Sequence, residues 1–380
     1  MAQLELQSVT KTFKTGRAVD DLSLTIDPGE IVAVFGPSGG GKTVLLRLIS
    51  GIEEPESGRV LIGGQDATTD APEARGIGIA FQNFALFPHM SAQDNIMSGL
   101  TALGQPKSEM ARRVQAVAKL LKIEHVLGHR PKELSNGQKQ RTALARALVA
   151  EPKILLLDDP LRNVDAKLRY EMRLELPNLL RRTGSAVLYV TQDYKEAMAL
   201  ADRIVVMLRG RIVQSDRPEV VYDNPASIDI ARLFGDPTIN LLPAQPARDG
   251  AGLAVTIANT RVSIGAGFDD AIGRSCRLGV RPQDITVMDA ASEGAIPVDL
   301  LALTPLNERF VLLAKTLDGH EILASAAEPP LGGRHTGRAY LGFDPDTVLL
   351  FDDASGERIY RSGVGRSERD LAARAPARVG

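Results

Sequence analysis

The chain lacks tryptophan, and only 4% of its 380 residues are aromatic. That argues against the aromatic platforms on which single-stranded nucleic acids stack. It carries a single cysteine, Cys276, so no disulfide can close within it. The lone thiol reads as a small buried apolar residue in a reducing compartment. There is no excess of one charge: 45 Lys and Arg stand against 47 Asp and Glu, a net −2. No basic surface for nucleic acid follows. Long apolar runs are missing as well. Ile154–Leu157 and Ile204–Leu208 are among the longest and have the length of a strand, whereas a bilayer needs about 20 residues. The opening MAQLELQSVTKTF has no basic stretch leading into an apolar one, so no signal peptide is read there. The expectation is a cytosolic chain that reaches a membrane only through a partner.

What is present is enough for two domains: 44% hydrophobic residues and a length beyond one ordinary fold. Up to about residue 235, short β-branched runs alternate with helical periodicity, the pattern of an α/β domain with a largely parallel sheet. Strands are expected at Ile31–Phe35, Ile154–Leu157, Ala186–Thr191 and Ile204–Leu208, and helices over Glu109–Ile123, Arg141–Val149 and Ala166–Arg182. Pro177 should kink the last of these. Met207–Val213 reads as a hairpin turning at Gly210. From 236 to about 355, short strand-like pieces such as Leu253–Ile257, Arg277–Val280 and Ala339–Leu341 lie between Gly, Pro and Asp, which predicts a small all-β domain. Residues 356–380, rich in Arg, Ala and Gly, read as a mobile tail.

Gly36-Pro37-Ser38-Gly39-Gly40-Gly41-Lys42-Thr43 matches G-x-x-x-x-G-K-[ST], between the strand Glu30–Phe35 and the helical pattern Val44–Ile49. Glycines let backbone N–H groups turn around phosphate oxygens, and the helix N-terminus adds its positive end. Lys42 would reach the terminal phosphates and the Thr43 hydroxyl would ligate Mg²⁺. Asp158 and Asp159 end the apolar run Ile154–Leu157. An acid at the end of a central strand beside a phosphate loop is where a Mg²⁺-orienting carboxylate belongs. The chain is therefore expected to bind a nucleoside triphosphate with Mg²⁺ on a P-loop NTPase fold.

Leu134-Ser135-Asn136-Gly137-Gln138-Lys139-Gln140-Arg141 resembles the LSGGQ signature of ABC ATPases. In that family the signature of one subunit closes over ATP held by the other. The resemblance runs from residue 3 to about 355. It implies that Phe13 stacks on adenine, that Gln82 is the Q-loop glutamine sensing Mg²⁺ and the membrane partner, and that Asn163–Arg169 is the D-loop, with Asp165 at the nucleotide. Gly36 to Val44 and Ser135 to Gln138 then become the nucleotide-binding set, with Thr43, Gln82 and Asp158 at the metal. Ala231–Pro243 and Gly279–Ile285 look like the boundary and first unit of the OB-like regulatory (TOBE) domain of maltose-type importers. That implies transmembrane permease subunits, an indirectly engaged extracytoplasmic solute-binding protein, no nucleic acid, and a place on the cytoplasmic face of the inner membrane. Phe84 to Phe87 is where a membrane subunit would couple.

The departures from the family cluster on hydrolysis. Asp159 stands for the catalytic glutamate. One methylene shorter, its carboxylate should fall on the order of 1 Å or more short of the attacking water, a displacement that can cost about 10²-fold. Gln192 stands for the switch histidine; it can donate a hydrogen bond but cannot take a proton. Asn136 replaces a signature glycine, Val44 a hydroxyl residue and Arg162 a common serine. The substitutions imply the slow-site member of a heterodimeric ATPase pair, and the resemblance implies import of a carbohydrate, polyol or glycerol-like solute. A homodimer importing a polyamine, anion or metal and a nearly non-hydrolysing ATP sensor are the other readings.

Overall fold

The computed structural model describes residues 2–14, 16–100, 106–162, 164–250, 252–306 and 309–362. In chain order it gives β1 (Leu4–Phe13), β2 (Gly16–Ile26), β3 (Ile31–Phe35), α1 (Lys42–Ser50), β4 (Ser57–Ile62), β5 (Gln65–Asp66), β6 (Ile77–Ala80), α2 (Ala92–Ser98), α3 (Lys107–Leu120) and α4 (Asn136–Leu148). Then come β7 (Ile154–Asp158), α5 (Ala166–Thr183), β8 (Ala186–Thr191), α6 (Tyr194–Leu200), β9 (Arg203–Leu208), β10 (Arg211–Asp216), α7 (Pro218–Asp223) and α8 (Ile228–Leu233).

Residues up to Val221 form one compact unit, built on a six-stranded sheet in the order β10-β9-β3-β8-β7-β6. Its strands run parallel except β10, which returns from β9 through the hairpin expected at Gly210. A second, antiparallel sheet has the order β2-β1-β4-β5. Strand β7 is apolar throughout because both of its faces are covered. Leu155 and Leu157 join the core shared with α2 to α5, while Ile154 and Leu156 join the core shared with α1, β1 and β2. The period of two along the strand thus places Asp158 and Asp159 where the sheet ends against α1.

Three expectations need correction. Helix α4 starts at Asn136, well before Arg141, because Ser135 caps it: its Oγ accepts from Gln138 N–H at 3.3 Å, and Gln138 Oε1 accepts from Ser135 N–H at 2.9 Å. Helix α3 ends at Leu120, short of Ile123, with Lys122 in the left-handed region (φ 56). Helix α5 runs one residue past the expected Arg182, to Thr183, and carries Pro177 inside it.

The second unit begins at Tyr222, earlier than the expected boundary at 235. Residues 226–234 are tied to its strands: Ile228 N–H donates to Gly356 C=O at 2.8 Å, Arg358 N–H to Ala226 C=O at 3.0 Å, and Arg281 Nη1 to Phe234 C=O at 2.7 Å. Its strands are β11 (Asn240–Ala244), β12 (Ala247–Asp249), β13 (Gly252–Ile257), β14 (Thr260–Gly265), β15 (Cys276–Val280), β16 (Ile285–Met288), β17 (Ile296–Leu306), β18 (Arg309–Thr316), β19 (Glu321–Ala326), β20 (Gly337–Phe343), β21 (Leu349–Asp352) and β22 (Arg358–Ile359). They form antiparallel sheets β11-β15-β21-β22, β12-β13-β14 and β16-β20-β17-β18-β19 around one apolar core, consistent with the OB-like domain. Cys276 is buried in that core. Asn240 clips β11 to β19, accepting from Leu323 N–H and donating to Leu323 C=O, both at 2.8 Å. The expected tail starts too early: Gly356–Ile359 belongs to this unit, and residues 363–380 lie outside those described.

Candidate nucleotide site

The phosphate loop is shaped by backbone that tolerates no side chain. Gly41 lies at φ 97, and a Cβ there would stand 2.0 Å from the Ala18 carbonyl oxygen; one on Gly36 would stand 2.2 Å from that of Met207. Only glycine fits between these strands. Gly36 and Gly40 form a buried floor, while Pro37, Ser38 and Gly39 form an exposed rim. Helix α1 starts at Lys42 with Gly41 as its cap, so its first N–H groups face the loop. The Thr43 hydroxyl is exposed on that first turn, and the Val44 side chain packs on the core, leaving only its backbone to a nucleotide.

Lys42 is 5% exposed and donates to the Gly36 and Pro37 carbonyls, both at 2.8 Å. Burial pulls its ammonium below the usual lysine range, opposed by the Asp159 and Asp158 charges. Burial pushes the Asp158 carboxyl up, opposed by Lys42 and Arg47. It also pushes up Asp159, opposed chiefly by Arg162, while the neighbouring Asp158 adds to the rise. Arg162 Nη1 stands 3.7 Å from Asp159 Oδ2. Ser38 Oγ donates to Gln192 Oε1 at 2.8 Å, joining the loop to the turn after β8. The fold therefore gathers Lys42, Asp158, Asp159, Ser38 and Gln192 around one cradle. The buried cation and the side-chain-free glycines suit a polyphosphate, and Thr43 and Asp158 carry the hard oxygens that Mg²⁺ takes as ligands.

The other expected residues stand on other elements. Phe13 ends β1, 38% exposed, with Lys11 Nζ 5.6 Å from its ring centroid. Gln82 is half-buried on the turn after β6. Ser135, Asn136, Gly137 and Gln138 open α4, the first two exposed. Asp165 is exposed just before α5, its carbonyl accepting from Arg169 N–H at 2.9 Å. Asn163 lies outside the described residues.

Four supporting residues escape sequence reasoning. Buried Arg75 caps the far end of α1, donating through Nη1 to the Leu48 and Ile49 carbonyls at 2.8 and 2.7 Å. Arg146, on α4, donates to the Ala85 and Phe84 carbonyls at 2.7 and 3.2 Å and lies 5.8 Å from the Phe87 ring, which is 43% exposed. Asn95 is fully buried and accepts from Phe87 N–H at 2.7 Å. Buried Glu196 accepts from Tyr189 OH at 2.8 Å and Thr191 Oγ1 at 3.0 Å behind the Gln192 turn. For Glu196 the only sequence signal is a carboxylate on the inward face of a short helix.

Residues 19–162 match the ABC transporter family. The sn-glycerol-3-phosphate import ATP-binding protein UgpC of Roseobacter denitrificans is 39% identical over 369 residues, covering 94% of this chain and 100% of its own length. The chain belongs to the ABC importer ATPases. A second such ATPase, the lactose transport ATP-binding protein LacK of Rhizobium radiobacter, is 36% identical with the same coverage. An ATP-binding cassette solved as a dimer in a post-hydrolysis state with ADP and phosphate is 31% identical, with a TM-score of 0.51 over 57% of this chain and 98% of that one. As an ABC importer ATPase the chain binds ATP, hydrolyses it, and acts with membrane permease subunits. No helix among its described residues is long and apolar enough to cross a membrane.

Proposed function

We propose that this chain is the slow-site member of a heterodimeric ATPase pair that powers uptake of a carbohydrate, polyol or glycerol-phosphate-like solute. The solute class rests on the relatives, which are named for glycerol-3-phosphate and lactose import. The slow-site reading rests on one contrast: a complete cradle around Lys42 beside Asp159 and Gln192, where the family has glutamate and histidine. Thr43 and Asp158, with Gln82, would hold Mg²⁺ against the nucleotide's own phosphates. Ser135 and Gly137 would close over ATP in the partner's cradle, and Phe13 and Asp165 would border the nucleotide. The chain would sit on the cytoplasmic face of the inner membrane, served from the other side by a solute-binding protein.

The test is to purify the chain alone and with the ATPase encoded beside it, and to measure hydrolysis and nucleotide retention. Slow turnover alone, ATP retained through a partner's turnovers, and a mixed dimer are expected. Family-rate hydrolysis by the chain alone would refute the reading in favour of a symmetric dimer.

A further inference from the structure

Asp159 and Arg162 look like two separate departures in the sequence, but they meet in the fold. Arg162 Nη1 lies 3.7 Å from Asp159 Oδ2, with the arginine side chain 52% exposed and the carboxylate 9% exposed. The main chain closes the same loop. Arg162 N–H donates to the Asp159 carbonyl at 3.2 Å, and Arg169 Nη2 donates to the Arg162 carbonyl at 3.3 Å. Asp159 N–H is in turn held by the Val190 carbonyl at 2.8 Å, with φ at 46. A non-glycine residue in that region is strained and persists only where its surroundings fix it. With the backbone fixed on both sides, the carboxylate has only its own torsions with which to choose a partner, and the guanidinium faces one of its oxygens at ion-pair distance, 3.7 Å. A general base must present that oxygen to water within hydrogen-bond reach.

We propose that Arg162 is a positioning residue that clamps Asp159 to the turn and away from the hydrolytic water. The slow site is then a two-residue device, and lengthening the carboxylate alone does not release it. This inference rests on the slow-site reading above.

The test is a double-mutant cycle in the full chain, assembled with its partner ATPase where turnover needs one. D159E alone should raise kcat by less than about threefold, and D159E/R162S by a further tenfold or more, with KM for ATP nearly unchanged. D159E/R162K, which keeps the cation, should behave as D159E. A nucleotide-free readout is the melting of R162S, D159N and the double variant, whose shifts should fall short of additive if the two side chains form one contact. Equal gains from D159E with and without Arg162, or additive melting shifts, would overturn the clamp and leave the slow-site reading standing. A wild-type chain already turning over at family rates would overturn both.

Discussion

The cradle around Lys42 and the turn beyond β7 lie side by side, yet they are built from different materials. The cradle works through main chain: glycines pressed against the Ala18 and Met207 carbonyls, helix N–H groups, and one buried ammonium. The turn works through side chains, and its chemistry depends on reach. Backbone geometry survives small changes of sequence around it, whereas one methylene at Asp159 or one ring at Gln192 alters what the turn can do. On the reading proposed above, binding and hydrolysis can part company within a single site.

The largest expected effect falls on the cradle. Lys42→Ala should weaken ATP binding by about 10²-fold or more, since a charged donor is lost from a dry site. Titration with a fluorescent nucleotide measures it, and unchanged affinity would show that the cradle does not need its cation. Next comes support from behind: Arg75→Ala should cost about 2 kcal/mol of stability by leaving two buried carbonyls of α1 unpaired. Urea denaturation reads that loss, and the folded fraction should still bind ATP if the backbone alone shapes the loop.

A third effect concerns the turn. Burial, first of all, holds the Glu196 carboxyl above its ordinary range. The folded state then keeps its proton at a pH where the unfolded chain has released it, so stability falls as pH rises from the ordinary carboxylate range to the raised one. Glu196→Gln should flatten the denaturation midpoint across that window, and a parallel curve for both proteins would refute the assignment. The smallest effect is expected from Ser38→Ala, which cuts the link to Gln192 and should change affinity or turnover by about 1 kcal/mol or less. A larger loss would mean that this hydrogen bond, rather than the backbone, couples cradle to turn.

How much of this was legible in the sequence follows the same division. The cradle is written locally, in eight consecutive residues between a strand and a helix, so pattern alone located it. The identities of Asp159 and Gln192 were legible too, because they sit at fixed steps from recognisable strands. What pattern could not supply was pairing over distance. Arg75 meets carbonyls more than twenty residues earlier, and Arg146 meets others about sixty away. Such contacts leave no periodic trace. The Arg162 ion pair spans only three residues, but it depends on the left-handed bend at Asp159, which an aspartate does not announce. Helix α4 begins right after the Ser135 cap, earlier than Arg141, because Asn136-Gly137 carry no apolar periodicity to mark them as helix. The boundary expected near 235 lies past the start of the second unit at Tyr222, because a helical stretch reads as part of the helical domain although Ala226 and Ile228 pair with Arg358 and Gly356.

That last stitch has a consequence for how such chains are remodelled. The incoming thread at 226–228 and the outgoing thread at 356–358 are hydrogen-bonded neighbours, so the β unit leaves its chain through the same doorway by which it came. Recombination that exchanges it intact must carry both threads, roughly 222 to 362, as one block. A graft beginning at 236, or a trim ending at 355, would leave each thread without its mate.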